Sequence, residues 1–223
     1  MTKLTAFHGK PELKAEILGK LRVHRAADDI IRGEGYGDSD AAHFRGCAVG
    51  CTLHAAGETN VETHRLYEPR LGLPAWLAHL SDGIFQGMSG DHASFPVQLI
   101  NAIPVGANLD TALHRIHSRF QREVVPDPGE INERVAALHD KVAGGETVSD
   151  DAWSAAESAA WSAARSAARS AAWSAESAAR SAARSAAGSA ESAAESAAGS
   201  AAGSAESAAW SLCAKIVLEE VAR

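Results

Sequence analysis

The chain has 223 residues, a formal net charge of −7, and 46% hydrophobic and 22% charged residues, which is enough for one or two domains with buried cores. It has no basic patch, no apolar run of 18 residues and only three cysteines, so nucleic-acid binding, a transmembrane helix and a disulfide framework are all disfavoured. We therefore expect a cytoplasmic protein that binds neither nucleic acid nor membrane.

Apolar residues recur at helical spacing along the chain, and no segment alternates like a β-strand. The pattern predicts an all-α fold. The predicted helices are Pro11–Arg32, a helix from Ser39 or Asp40 to Ala56, Leu66–Gly72, Pro74–Gln86, Phe95–Ile103, a helix capped by Asn108, Glu130–Val142, and a long helix capped by Ser149. Proline in a first turn and glycine after a last turn set several of these boundaries.

The most regular stretch runs from Asp151 to Ser211 and repeats the unit Ser-Ala-Ala-x, where x is Trp, Glu, Arg or Gly. From Trp153 to Trp210 the x positions advance 57 residues in 15 steps, a mean of 3.8. This period is close to one helical turn, and alanine is the best helix former. Because the period exceeds 3.6, the stripe winds around the helix and no left-handed heptad seam is predicted.

The repeat predicts a second region of the molecule. We expect a compact helical domain over residues 1–146, followed by an Ala/Ser-rich tail over 147–223 that forms one long helix or a helical hairpin. The tail ends in an amphipathic segment that can dock, with apolar residues at Leu212, Cys213, Ile216, Val217 and Val221. Since Trp, Arg, Gly and Glu codons differ by about one base, we infer that slippage expanded the tandem repeat and left its length loosely specified.

Four residues within twelve carry side chains that bind metals: His43, Cys47, Cys51 and His54. Cysteine and histidine are the usual zinc ligands and also serve iron. A single continuous helix would separate the two histidines by about 16 Å along its axis, so a closed site requires a helix break at Gly46 or Gly50. Two alternatives stay open, namely cysteines packed at a tight helix crossing and a reactive cysteine with the second histidine as its base.

Two further patterns have predominantly structural interpretations. Gly46 and Gly50 lie four residues apart and would let another backbone approach closely, for example that of the Ala-rich tail. His24 shares a helical face with Asp28, and Asp29 is adjacent. Together with His139 and Asp140, these residues resemble the scattered ligands of metal phosphohydrolases. Such pairs are usually solvated helix faces.

The segment Arg45-Gly-Cys-Ala-Val-Gly-Cys-Thr-Leu-His54 resembles one found in an uncharacterised group of bacterial and prophage hypothetical proteins. The pieces Leu71-Gly-Leu-Pro74 and Trp76-Leu77-Ala78 and the Ala/Ser-rich C-terminal repeat carry the same resemblance. No activity is attached to that group, so the resemblance supplies no catalytic residues.

The sequence favours a non-enzymatic structural or interaction protein without a cofactor, whose tail mediates self-association or docking to another helical protein. The alternative is a small metal-binding protein, or a metal- or thiol-dependent enzyme, that uses zinc or iron in the segment from His43 to His54.

Overall fold

The protein is all-α in the part of the chain that the structure describes, as predicted. The structure is a computed structural model and describes residues 4–33, 35–37, 44–61, 63–125, 129–156, 158 and 191–223, with the backbone alone over 191–204. Its helices are α1 (Pro11–Ala26), α2 (Ala48–Ala55), α3 (Tyr67–Leu71), α4 (Ala75–Gly87), α5 (Ser94–Ala102), α6 (Ala112–Arg119), α7 (Glu130–Ala143) and the C-terminal helix (Glu191–Val221). Helical backbone over 150–156 and short 3₁₀ or π turns at Ala6–Gly9, His64–Leu66 and Phe120–Val124 complete the described elements.

Several helix ends lie where the sequence places them. Pro74 is extended and immediately precedes α4. Gly72 ends α3 in the left-handed conformation, with φ of 65°, as glycine at this position commonly does. The Ser149 hydroxyl accepts a hydrogen bond from the Ala152 N–H at 3.3 Å, which is the predicted cap.

The first helix is shorter than predicted and ends at Ala26 rather than Arg32. The chain reverses at Asp28, whose φ of 57° is left-handed, and the Asp29 N–H donates to the His24 carbonyl at 3.0 Å. Aspartate tolerates this conformation better than most residues. The helical spacing of the apolar residues beyond the reversal was therefore misleading.

The second helix begins at Ala48, so the predicted start at Ser39 or Asp40 is wrong for the described residues 44–47. Residues 38–43 lie outside the described part of the chain. Gly46 forms an isolated parallel bridge with Ile30. Its N–H donates to Asp29 O at 3.0 Å and its carbonyl accepts from the Ile31 N–H at 2.9 Å. These extended-chain hydrogen bonds replace the helical ones that the sequence pattern suggested.

The described chain forms two compact units, and the first combines Met1–Ile116 with Ser207–Arg223. In it α1 packs against α2 and α5, and α2 packs against α4. The end of the C-terminal helix belongs to this core, since Ile216, Val217 and Val221 are each 0% exposed. The amphipathic end of the tail is therefore docked, as its apolar residues predicted.

The second unit spans His117–Glu206. Within this unit, Arg122 forms ion pairs with two residues of α7, Glu133 at 2.6 Å and Asp140 at 2.9 Å. Most of the repeat, residues 159–190, lies outside the described residues. The boundary between residues 146 and 147 stays a prediction.

None of the described helices has both the length and the apolar character that crossing a membrane requires.

Candidate functional site

The N-terminus of α2 is shaped by a close backbone approach. A Cβ atom on Gly50 would collide with the Tyr36 carbonyl, and one on Gly46 would lie 2.9 Å from the Gly37 Cα. The Cys47 N–H donates to the Gly35 carbonyl at 3.1 Å. The predicted close approach at the two glycines is thus confirmed, but the backbone that uses it is the 35–37 segment rather than the Ala-rich tail.

The two cysteines of the predicted metal segment have different surroundings. The Cys47 sulfur accepts the Gly50 N–H at 3.4 Å as the cap of α2. The Cys51 thiol is 0% exposed and donates to the Gly46 and Asp29 carbonyls at 3.5 and 3.6 Å. Burial raises the pKa of both thiols, that of Cys51 to about 12.

The raised pKa of Cys51 bears on whether its thiol can act as a nucleophile. A thiol with a pKa of about 12 is protonated at neutral pH, whereas nucleophilic cysteines act as thiolates. The structure therefore favours a packed Cys51 over a reactive one.

His54 is the third described residue of the predicted metal segment, and it contacts another histidine. Its Nδ1 lies 3.0 Å from Nε2 of His24, whose Nδ1 is 3.2 Å from Oδ2 of Asp29. The His54 ring also stacks on Phe44, with centroids 4.1 Å apart and planes 2° apart. We call His24, Asp29, Phe44 and His54 the His24 cluster.

The His24 cluster lies mostly in the core. Asp29 is 1% exposed and His24 is 8% exposed, and Oδ2 of Asp29 lies 3.2 Å from Nδ1 of His24. Burial, followed by the charge of His24, lowers the pKa of His54. The partner of His24 is thus Asp29, reached through the chain reversal, and not Asp28 on the predicted helix face.

The four-residue metal set stays a prediction, because His43 lies outside the described residues. Across the described ranges, no three His, Cys, Asp or Glu side chains already surround a point suited to a metal ion.

A second polar cluster forms where the 35–37 segment meets α4. The Tyr36 hydroxyl lies 2.7 Å from Nδ1 of His64, and Nε2 of His64 lies 3.4 Å from Oδ2 of Asp82. His79 stacks on His64 with centroids 4.0 Å apart and planes at 17°. We call Tyr36, Cys47, His64, His79 and Asp82 the His64 cluster.

Burial governs the ionisation of this cluster. It raises the pKa of Tyr36 and, together with the neighbouring His79, lowers the pKa of His64. Two of its buried atoms, Nε2 of His64 and Oδ1 of Asp82, make no hydrogen bond to any described residue.

Four members of the His64 cluster were not predicted from the sequence. Tyr36 lies in a glycine-rich loop, and His64 lies in a short 3₁₀ turn. The one readable signal was the spacing of His79 and Asp82, which places them one turn apart on a correctly predicted helix.

The docked end of the C-terminal helix forms the third notable surface. The Trp210 ring packs directly on Gly87, where a Cβ atom would collide with it. Glu220 is 0% exposed. Its carboxylate forms ion pairs with Nε of Arg115 at 3.0 Å and with Nη1 of Arg223 at 3.1 Å. Nη2 of Arg115 also donates to the Glu220 carbonyl at 3.2 Å. We call the surface formed by Gly87 and Arg115, which Trp210 and Glu220 contact, the tail seat.

No protein-family model, curated protein or solved structure matches the chain.

Proposed function

We propose that this is a non-enzymatic interaction protein whose C-terminal helix mediates self-association, with another helical protein as the alternative partner. The observation that carries the proposal is the ion pair between the buried Glu220 carboxylate and the partly exposed Arg115 in the tail seat. A buried carboxylate without a cation beside it is strongly destabilising. Arg115 therefore favours a helix end that carries an acidic residue at this position over one that does not.

The rest of the tail seat supports the same role. Trp210 is a large anchor, and it fits only where residue 87 has no side chain. Aromatic and arginine anchors dominate the energetics of protein interfaces. A helix end that carries one aromatic ring, one buried charge and an apolar stripe is therefore a specific docking element.

The way in which the seat and the docked segment are joined supports the proposal of self-association. The docked segment, Ser207–Arg223, is separated in sequence from the rest of its unit by His117–Glu206. An element at the end of a long connection can occupy the same seat on a second copy with identical contacts, which is the usual route to exchanged oligomers. The repeat supplies the reach, and its loosely specified length does not alter the seat.

We also propose the cytoplasm as the location. The three cysteines are free and buried, which is compatible with a reducing compartment.

The test is the oligomeric state of the full-length protein, measured by light scattering across a concentration series. We expect the wild type to form a defined oligomer and Arg115→Glu to be monomeric, because like charges would meet in the tail seat. Lys20→Glu is the matched control, since Lys20 pairs with Glu16 on an exposed face of α1. A wild type that stays monomeric at every concentration would overturn self-association.

A further inference from the structure

An open cavity of about 340 Å³ lies beside the last turn of α1, within the unit that contains Met1–Ile116. Four charged residues and two alanines form its walls: Arg22, Arg25, Ala26, Asp28, Asp91 and Ala93. Sites for small molecules typically have volumes of about 300–1,000 Å³. The cavity is therefore large enough to hold a small organic ligand.

Two features of the backbone and the side chains fix the walls of this cavity. Nη2 of Arg25 pairs with Oδ2 of Asp91 at 2.6 Å, which joins α1 to the segment that precedes α5. Asp28 has a left-handed φ of 57°, and its N–H donates to the Arg25 carbonyl at 3.2 Å. Residues in such sparsely populated conformations persist where the surrounding structure holds them, and they cluster at functional sites. The Asp28 side chain is thus carried on a fixed backbone at the edge of the cavity.

Two of the charged side chains in the walls are available to a ligand. The Arg22 guanidinium and the Asp28 carboxylate form no hydrogen bond or ion pair with any residue in the described part of the chain. Arg25 and Asp91, in contrast, neutralise each other. An arginine fork binds a carboxylate through two parallel N–H···O bonds, and a carboxylate accepts hydrogen bonds from an ammonium group. The cavity therefore offers one unengaged cation and one unengaged anion.

The balance of charge indicates the class of ligand. The walls contain two arginines and two aspartates, so their formal charges cancel. An anion such as phosphate would meet two carboxylates, a cation would meet two guanidinium groups, and like charges brought together oppose binding. A ligand with one carboxylate and one ammonium group gives each unengaged wall charge an opposite partner. The methyl groups of Ala26 and Ala93 leave an apolar part of the wall for its carbon atoms.

We propose that this cavity binds a free α-amino acid, whose carboxylate pairs with Arg22 and whose ammonium group pairs with Asp28. Ligand binding at the end of α1 is a function additional to the proposed self-association. The cavity shares no residue with the tail seat, so failure of either proposal leaves the other intact.

The test uses the full-length protein and the common protein amino acids, each titrated separately by calorimetry at neutral pH in a buffer without primary amines. We expect at least one amino acid to bind, at one molecule per chain, with a dissociation constant below about 1 mM. Its analogue without the amino group and its analogue without the carboxylate should each bind roughly 10-fold more weakly or worse, because each leaves one wall charge without a partner.

Substitutions then locate the binding in this cavity. Asparagine adopts the left-handed conformation as readily as aspartate does, so Asp28→Asn removes the charge and keeps the chain reversal. Arg22→Gln removes the opposite charge from an exposed position of α1. Each variant should bind the same amino acid roughly 10-fold more weakly or worse. Asp110→Asn and Lys20→Gln change exposed residues outside the cavity and are the matched controls, which should bind as the wild type does.

The proposal is overturned if no amino acid binds at concentrations up to about 10 mM, or if Asp28→Asn and Arg22→Gln bind as the wild type does. Equal affinity for the analogue without the amino group would overturn it in favour of an anion site. Should either variant fail to fold, amide NMR of the wild type decides. The added amino acid must shift the resonances of residues 22–28 and 91–93, and shifts confined to other residues contradict the proposal.

Discussion

The His64 cluster and the C-terminal helix show two different ways in which this chain makes a specific contact. The cluster uses polar side chains from four separate segments, brought together because Gly46 and Gly50 admit the Tyr36 backbone. The C-terminal helix uses one regular element, with specificity confined to its end, at Trp210 and Glu220. A varied sequence therefore does not show which of its side chains converge, whereas a repetitive sequence shows its helix but not the surface that the helix contacts.

Among the substitutions that distinguish the two regions, Gly50→Ala should cause the largest loss of stability. The added methyl group meets the Tyr36 carbonyl, which is backbone and cannot rotate away. We expect a loss of about 3 kcal/mol in the free energy of unfolding, at the upper end of overpacking effects. Urea denaturation of the full-length protein measures it.

Gly19→Ala is the matched control for that substitution. Gly19 lies in α1 with open space where the methyl group of an alanine would be, and alanine in a helix interior is favoured by about 0.5–1 kcal/mol. A Gly50→Ala protein as stable as Gly19→Ala would show that the 35–37 segment does not pack on α2.

The next largest effect should come from the tail seat. Arg115→Ala removes the cation whose Nε lies 3.0 Å from the carboxylate of Glu220, which is 0% exposed. We expect a loss of about 2 kcal/mol, the penalty for an incompletely paired buried charge. Lys20→Ala, which breaks the exposed pair with Glu16, should change stability by less than about 0.5 kcal/mol. Equal losses of unfolding free energy in the two variants would contradict a stabilising role for the pair between Arg115 and Glu220.

A smaller effect should appear as a pH dependence. Burial lowers the pKa of His114 below its ordinary value of 6.5. Between the lowered pKa and 6.5 the unfolded chain binds more protons than the folded one, so stability falls as the pH drops through this window. His114→Gln should reduce that fall, measured as the difference in unfolding free energy between about pH 7.5 and about pH 5.5. A variant with the same or a steeper acid-side loss would contradict the assignment.

The smallest effect should come from the repeat itself. Deletion of one 15-residue unit from the stretch between residues 159 and 190 should leave the melting temperature of the Met1–Ile116 unit nearly unchanged. The physical reason is that the units repeat the same helical pattern and the docked end lies beyond them. Loss of folding after such a deletion, seen by circular dichroism, would refute the loosely specified repeat.

Local physical chemistry made the helical fold predictable. Proline and glycine placed the ends of α3 and α4, and the apolar spacing of Ile216, Val217 and Val221 indicated a docking end. The wrong predictions for the end of α1 and the start of α2 arose where tertiary hydrogen bonds override local preference. The bridge between Ile30 and Gly46 makes α1 end earlier and α2 begin later than predicted. The local sequence around each residue does not indicate a bridge to a distant one.

The candidate site was less predictable for the same reason. Cys47 was recognised as a possible ligand, but its neighbours His64 and Asp82 come from segments far along the chain. A short 3₁₀ turn and a glycine-rich loop give no periodicity from which to infer that their side chains converge. Spacing within one segment identifies candidate residue types, and only the packing of α2 against α4 selects their partners.

The central claim is that the seat for the C-terminal helix also joins one copy of the chain to another. Sedimentation equilibrium of the doubly reversed variant, Arg115→Glu with Glu220→Arg, tests it most directly. The account predicts that each single reversal dissociates the oligomer and that the double reversal restores it, because opposite charges face each other again. A double variant that stays monomeric while the wild type associates, or single variants that associate as the wild type does, would contradict the claim.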